Sequence, residues 1–405
     1  MPDFETNPRA VEAVIEKLVY GGAGLARIDG RVALVPFVLP GERVRIEPQA
    51  GRRGVLSARL ESVVEPSAAR THPPCPFFYR CGGCQYQHGI YEAQVEAKRA
   101  IVAETLARIG KLEPPGEIDA ITGEPWGYRN RTQFHVERNR LGYFGFGTHA
   151  LVPVDRCPIS SPRINEVLTA LNGMVRDRRW PAFVRSVEVF TNETEVQINV
   201  RETDRPVARR FFEWCAEAVP GFAPAAIEYR AASDTYRVGR NSFFQVNRFL
   251  TGRLVERALE GASGGTAFDL YAGAGLFSLQ LARRFERVTA VEGGAAARDL
   301  EYNAERAGVR LEVRRSPVEA FLEGISEAPD FVLADPPRAG LGKSAVRSLL
   351  RLEPARLSIV SCDPATLARD LAALTAGGYR LARLTLIDLF PQTYHIETVS
   401  TLERA

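Results

Sequence analysis

The sequence predicts a multidomain α/β protein with three parts: a small N-terminal β-barrel over residues 1–67, a central α+β domain over 68–237, and a C-terminal doubly wound, Rossmann-like domain over 238–405. Three observations lead there. The N-terminal segment consists of short β-rich runs broken by glycine and proline. Four of the six cysteines fall between Cys75 and Cys157. From Val238 onward, apolar β-branched runs alternate with helical stretches, which is the pattern of a mostly parallel sheet.

Composition narrows the classes. A hydrophobic content of 45% and a charged content of 25% are ordinary for a globular protein. The net charge is +3, from 52 basic and 49 acidic residues, so any surface for nucleic acid must be a local patch. No apolar run approaches the roughly 20 residues of a membrane helix. The start, Met1-Pro2-Asp3-Phe4-Glu5, lacks the basic-then-apolar pattern of a signal peptide. A cytoplasmic protein without membrane association is expected, and in that reducing compartment cysteines serve metal binding or catalysis rather than disulfides.

In the N-terminal part, Val11–Val19, Gly24–Ile28, Val32–Val38, Arg43–Glu47 and Gly54–Val64 read as strands, with Asp29-Gly30 as a hairpin turn. Arg27, Arg31, Arg43, Arg45, Arg52, Arg53 and Arg59 suit phosphate contacts, although acidic residues share the segment and a merely solvated surface fits as well. The central part opens with Cys75-x5-Cys81-x2-Cys84, followed much later by Cys157-Pro158. Four thiolates complete either tetrahedral zinc or an iron–sulfur cluster. Three clustered cysteines plus a remote one before proline lean toward the cluster.

Tyr91–Ile109 has the apolar spacing of an amphipathic helix. Trp126–Phe144 interleaves arginines with aromatics, which suits backbone phosphates and stacked, unpaired bases, or else the outer face of an ordinary sheet. Arg163–Trp180 and Pro206–Val219 read as helices. Val187–Val200 reads as a hairpin about Thr191-Asn192, and Cys215 as a buried helix residue.

In the C-terminal part, Phe268–Ala272, Val288–Glu292, Arg310–Val313, Phe331–Asp335, Leu357–Cys362, Leu384–Leu389 and Glu397–Leu402 read as strands. Gly275–Phe285, Ala295–Ala307, Lys343–Leu352 and Pro364–Thr375 read as helices. Asp269-Leu270-Tyr271-Ala272-Gly273-Ala274-Gly275 is a strand running into a glycine-rich turn that lets backbone approach a nucleotide. Glu292, at the end of the next strand, suits ribose hydroxyls. Dinucleotide enzymes share both devices, but Ser278 stands where their third glycine would be.

Asp335-Pro336-Pro337-Arg338 ends the fourth strand, and such a turn is typical of S-adenosyl-L-methionine enzymes acting on bases. Cys362 ends the next strand, where it is either a nucleophile or an inert buried thiol. Uracil C5 is too weak a nucleophile to take a methyl group unaided. Thiolate addition at C6 activates it, and a base must then remove the C5 proton. Phe390-Pro391-Gln392-Thr393-Tyr394-His395-Ile396-Glu397 offers His395 and Glu397 for that task, and the residues alone do not choose between them.

The set Ser242-Phe243-Phe244-Gln245-Val246-Asn247, Asp269 to Gly275, Asp335 to Arg338, Ser361-Cys362-Asp363-Pro364 and Phe390 to Glu397 resembles the RNA 5-methyluridine (uracil-C5) methyltransferases. The N-terminal part resembles a TRAM domain, an RNA-binding barrel. With the four cysteines, the chain is most similar to the 23S ribosomal RNA branch. The resemblance implies Cys362 as nucleophile and Glu397 as base, and an S-adenosyl-L-methionine site lined by Gln245, Tyr271, Glu292 and Asp335. It implies a 4Fe-4S iron–sulfur cluster on Cys75, Cys81, Cys84 and Cys157, and packing of the Tyr91–Ile109 helix on the catalytic domain. Leu276 and Ser316 depart from the family pattern at positions that face the cofactor. The expected partner is RNA, 23S rRNA or else tRNA, bound by a monomer. A non-catalytic RNA-binding assembly factor is the competing reading, against which the pair Cys362 and Glu397 argues.

Overall fold

The structure, a computed structural model, describes residues 10–51 and 54–405; Arg52 and Arg53 lie outside the described residues. The chain forms two units. One holds residues up to Ile101 with Phe144–Val152 and Phe390–His395; the other holds Val102–Tyr143, Pro153–Leu389 and Ile396–Ala405.

In the first unit, Val11–Val14, Lys17–Leu18, Ala23–Ile28, Arg31–Pro36, Arg43–Gln49 and Leu56–Glu65 form one sheet. The expected strand Val11–Val19 is broken at Ile15. There the chain turns, with Ile15 N–H donating to the Glu42 carbonyl and Glu16 N–H to that of Leu25. That break closes the sheet, because Val11–Val14 pairs with Arg43–Gln49 while Lys17–Leu18 pairs with Ala23–Ile28. One run thus supplies both edges of a small barrel. Its core is Ala13, Ile15, Ala26, Val35, Val38, Val44, Ile46 and Ala58, drawn from alternate strand positions.

The second unit is built on a sheet of eight strands. Its order is Glu312–Arg314, Phe285–Val291, Gly264–Leu270, Phe331–Ala334, Arg356–Ser361, Thr398–Arg404, Tyr379–Ile387 and Asp119–Ile121. The first five are parallel, and Thr398–Arg404 runs antiparallel to both its neighbours. Phe331–Ala334 is buried along its whole length, as a strand covered on both faces must be. The strand order reverses between Gly264–Leu270 and Phe331–Ala334, so a crevice for a ligand lies beyond Tyr271 and Asp335.

Asp119–Ile121 was not expected from sequence; three residues carry no readable period. Arg131–Glu137 lies between Arg140–Phe144 and Val184–Thr191 in an antiparallel sheet, on which Val196–Thr203 adds a further strand. The helix Tyr91–Thr105 ends in a wider turn, Leu106–Gly110, set against the helix Pro364–Ala376. A Cβ at Gly110 would lie 3.0 Å from the Ala368 carbonyl oxygen, so that contact is backbone-close. Among the described residues, no helix is long and apolar enough to cross a membrane.

Candidate active site

Sheet register brings the chemistry together. In the antiparallel pair of Arg356–Ser361 with Thr398–Arg404, Val360 faces Val399 and Ser361 faces Thr398. One step further on, Cys362 and Glu397 therefore leave the same end of neighbouring strands. Thr398 Oγ1 donates to the Ser361 carbonyl at 3.2 Å, and Ile387 N–H donates to the Glu397 carbonyl at 2.8 Å. Asp363 turns the chain directly after Cys362. Its Oδ1 accepts from the N–H groups of Ala365 and Thr366, at 3.0 and 2.9 Å, and Pro364 opens the helix. His395 belongs to the first unit, with its ring against those of Phe390 and Tyr394. Glu397 directly precedes the strand Thr398–Arg404 of the eight-stranded sheet.

Gln245, Tyr271, Glu292 and Asp335 all belong to the second unit. Gln245 Nε2 donates to Asp335 Oδ2 at 3.4 Å, and the Asp335 N–H reaches the Leu270 carbonyl. Glu292 Oε2 accepts from Gly273 N–H at 2.9 Å, so this carboxylate braces the glycine turn. Tyr271 adopts a left-handed φ of 64°, a strained setting for an aromatic residue and a mark of a functional turn. Gly275 has φ 93°, which strains any other residue, and a Cβ there would also have to displace Leu300 Cδ1, 2.6 Å away. Ser278 donates through Oγ to the buried Asp269, which accounts for serine in place of a third glycine. The two departures from the family pattern are occupied locally. Leu276 is buried and its carbonyl accepts from Tyr236 Oη, and Ser316 Oγ donates to the Pro317 carbonyl.

Burial sets the protonation of these groups. The Cys362 thiol is pushed up to about 11, first by burial and then by Glu397, with Arg338 pulling the other way. Burial, reinforced by Asp335 and opposed by Arg338, holds the Glu397 carboxyl well above its usual range. Burial brings Asp335 to about 7 and, with Asp335 and Glu292 as like charges nearby, Asp269 to about 7 as well. Arg338 and Asp269 were not singled out as site residues from sequence. Both sit inside motifs read for their neighbours, and only the fold shows which charge they face.

The profile of the tRNA (Uracil-5-)-methyltransferase family matches residues 226–405, and that of the TRAM domain residues 7–60. An uncharacterized RNA methyltransferase of Aquifex aeolicus is 32% identical, over 98% of this chain and 99% of its own length. The 23S rRNA (uracil(1939)-C(5))-methyltransferase RlmD of Halomonas elongata is 34% identical, over 97% of this chain and 89% of its own. The chain belongs to the RNA uracil-C5 methyltransferase family. The tRNA (uracil-54, C5)-methyltransferase of Pyrococcus abyssi, solved with S-adenosyl-L-homocysteine, superimposes with a TM-score of 0.75 at 25% identity, covering 97% of this chain and all of that one. Accordingly the chain is an S-adenosylmethionine-dependent RNA methyltransferase with an N-terminal TRAM domain.

Family membership does not carry every expectation over. Cys75 and Cys81 are half-buried and Cys84 buried on a loop of the first unit, and Cys157 belongs to the second. Among the described residues, no group of three or more His, Cys, Asp or Glu side chains is arranged to hold a metal ion. The four-thiolate shell expected on Cys75, Cys81, Cys84 and Cys157 is thus not shown. In the barrel, Arg27, Arg43, Arg45 and Arg59 are each paired with a carboxylate, of Glu16, Glu12 and Glu65, Glu61, and Glu47 respectively, so the solvated-surface reading holds for these four. Arg131, expected on an RNA-facing strand, is buried over the Phe190 ring at 4.1 Å and donates to the Ser242 carbonyl. It braces the loop that carries Phe243, a ring 60% exposed two residues before Gln245.

Proposed function

We propose that this methyltransferase modifies uridine C5 of 23S rRNA through a covalent adduct on Cys362, with Glu397 as the base. The observation that carries the reading is the strand register that sets Cys362 and Glu397 at one end of adjacent strands, next to the Asp335 turn. In this reading, Cys362, having given its proton to solvent, adds as the thiolate through Sγ to C6 of the target uracil, and the C5–C6 π electrons move onto the O4 enolate. Gln245 and Asp335 orient the reactants, and C5 takes the methyl group. Glu397 removes the C5 proton, and the electrons of that bond restore C5=C6 and expel Cys362 as thiolate. When bound, S-adenosylmethionine supplies the methyl group and a sulfonium charge that favours the ionised forms of these buried acids. In the free protein burial favours their neutral forms, which suits a site that must not react before both partners are present. The exposed Phe243 ring beside Gln245 suits stacking on an extruded base.

What supports rRNA over tRNA is the higher identity to the ribosomal relative, 34% against 25% for the tRNA enzyme. The Cys75, Cys81, Cys84 and Cys157 spacing supports a structural 4Fe-4S cluster, and Gly83 N–H already donates to Cys81 Sγ at 3.4 Å. The protein acts as a monomer in the cytoplasm, where its substrate is made. The test uses RNA transcribed with [5-3H]uridine. One tritium should be released to water per methyl group gained, since C5 cannot be substituted without losing its hydrogen. Methyl gain without tritium release would overturn C5 chemistry. No methyl gain on any ribosomal or transfer RNA would favour the assembly-factor reading.

A further inference from the structure

The whole chain carries a net charge of only +3, yet two short segments of the second unit hold more than that between them. Residues 176–185 and 201–210 contain eight arginines and three carboxylates, a net +5 on twenty residues. The fold brings the two segments together. They meet at the open end of the hairpin formed by Val184–Thr191 and Val196–Thr203, where Val184 faces Thr203. Arg205 lies over the Phe183 ring at 5.0 Å, and Trp180 packs edge-on against Phe211 with ring centres 5.4 Å apart. The three carboxylates are already engaged. Asp177 pairs with Arg179 at 2.9 Å, Asp204 pairs with Arg185, and Glu202 faces His135 at 3.8 Å. Among the described residues, Arg176, Arg178, Arg205 and Arg210 make no ion pair, and all four are exposed.

We propose that this face is an interaction surface for the phosphodiester backbone of the substrate RNA, outside the target nucleotide. The inference rests on the chain's being an RNA methyltransferase and does not depend on how C5 is methylated. Unpaired guanidinium groups are permanently charged donors to phosphate, and each one that engages RNA releases counterions from it. The face gives a base little to stack on. Trp180, Phe211 and Trp214 are buried, and the rings nearer the surface lie under guanidinium groups, Phe183 under Arg205 and Phe212 under Arg240 at 4.2 Å. Charge without open rings positions a backbone and carries no sequence information. The face also leads to the catalytic loop. Arg201 Nη1 donates to Asn241 Oδ1 at 3.1 Å, and Arg240 and Asn241 directly precede the segment with the exposed Phe243 and Gln245. RNA backbone held here would set how a neighbouring uridine approaches that loop.

Equilibrium binding of fluorescent RNA hairpins to the full chain needs neither cofactor nor turnover, so its failure is distinct from failure of the methylation chemistry. Two hairpins of unrelated stem sequence serve as probes. Changing Arg176, Arg178 and Arg210 together to Gln removes three charges from exposed side chains. The affinity for both hairpins should fall more than about tenfold, and the slope of log affinity against log salt should become shallower by about three, close to one per lost phosphate contact. The same three residues changed to Lys keep the charge and should keep the wild-type slope. A control triple, Arg287→Gln, Arg310→Gln and Arg380→Gln, removes equal charge at the end of the catalytic sheet opposite Cys362, and should shift the slope by less than about one. An unchanged slope in the first Gln triple, an equal change in the control, or a loss confined to one hairpin sequence would overturn the surface.

Discussion

Cys362 and Glu397 leave the ends of neighbouring strands, whereas Cys75, Cys81 and Cys84 are strung along a loop, and the two regions assemble by different rules. On the sheet, hydrogen-bond register fixes which residues meet, so a cysteine and a carboxylate far apart in the chain are paired by backbone alone. On the loop no ladder gathers the thiols, and among the described residues they form no metal-holding group. A site on strands is preformed; a site on a loop waits for whatever ties its ligands together.

The largest effect that could break this contrast is expected at Cys362. Cys362→Ala should lower methyl transfer by more than about a thousandfold while S-adenosylmethionine affinity stays within a factor of about two, because the thiol acts on the base and not on the cofactor. Isothermal titration beside a transfer assay reads both, and appreciable residual turnover would mean that the strand ends do not carry the chemistry. The cysteine loop should respond differently. Protein purified without oxygen should carry about four irons. Cys81→Ala should lose the iron and its RNA affinity, while the soluble fraction still binds S-adenosylmethionine in the separately built crevice. One zinc and no iron in anaerobic material would reject the cluster.

A third effect is graded. With its thiol pushed up to about 11 by burial and by Glu397, Cys362 is protonated at neutral pH, and its thiolate fraction grows with each step toward that value. Alkylation of Cys362 by iodoacetamide, followed by peptide mass spectrometry, should therefore quicken about tenfold per pH unit between pH 7 and 9. A plateau below pH 8 would show a thiol already ionised. The smallest effect concerns the segment that leads into the catalytic strand. Gln392 has a left-handed φ of 69°, its N–H donates to Gln94 Oε1 at 2.9 Å, and Gln94 Nε2 donates to Gln392 Oε1 at 3.0 Å. Gln94→Ala leaves both groups of Gln392 unpaired in a buried place and should cost about 1–3 kcal/mol in urea denaturation.

Much of this was legible in the chain because the strands are short β-branched runs that end on polar residues. Phe331–Ala334 and Arg356–Ser361 differ from their expected spans only at the last residue or by one step. The choice between His395 and Glu397 was not legible, since both lie in one short segment two residues apart. The pairing of Thr398 with Ser361, which supports Glu397 as the partner of Cys362, is made by residues far apart in the chain. Val11–Val19 read as one strand because its break at Ile15 is made by distant partners, Glu42 and Leu25. The helix expected over Gly275–Phe285 shrinks to Ser278–Leu281, since the glycine turn takes up its first residues. Arg131 looked like an RNA contact because sequence shows its charge and not the Phe190 ring that covers it.

The central claim is that Cys362 and Glu397 act as a nucleophile and base on one uracil. Glu397→Gln keeps the shape of the side chain and removes its capacity to take the C5 proton. Mixed with S-adenosylmethionine and ordinary uridine-containing substrate RNA, this variant should methylate the base, fail to release it, and run on a denaturing gel as a protein–RNA band joined through Cys362. Free methylated RNA at the wild-type rate, with no such band, would contradict the account.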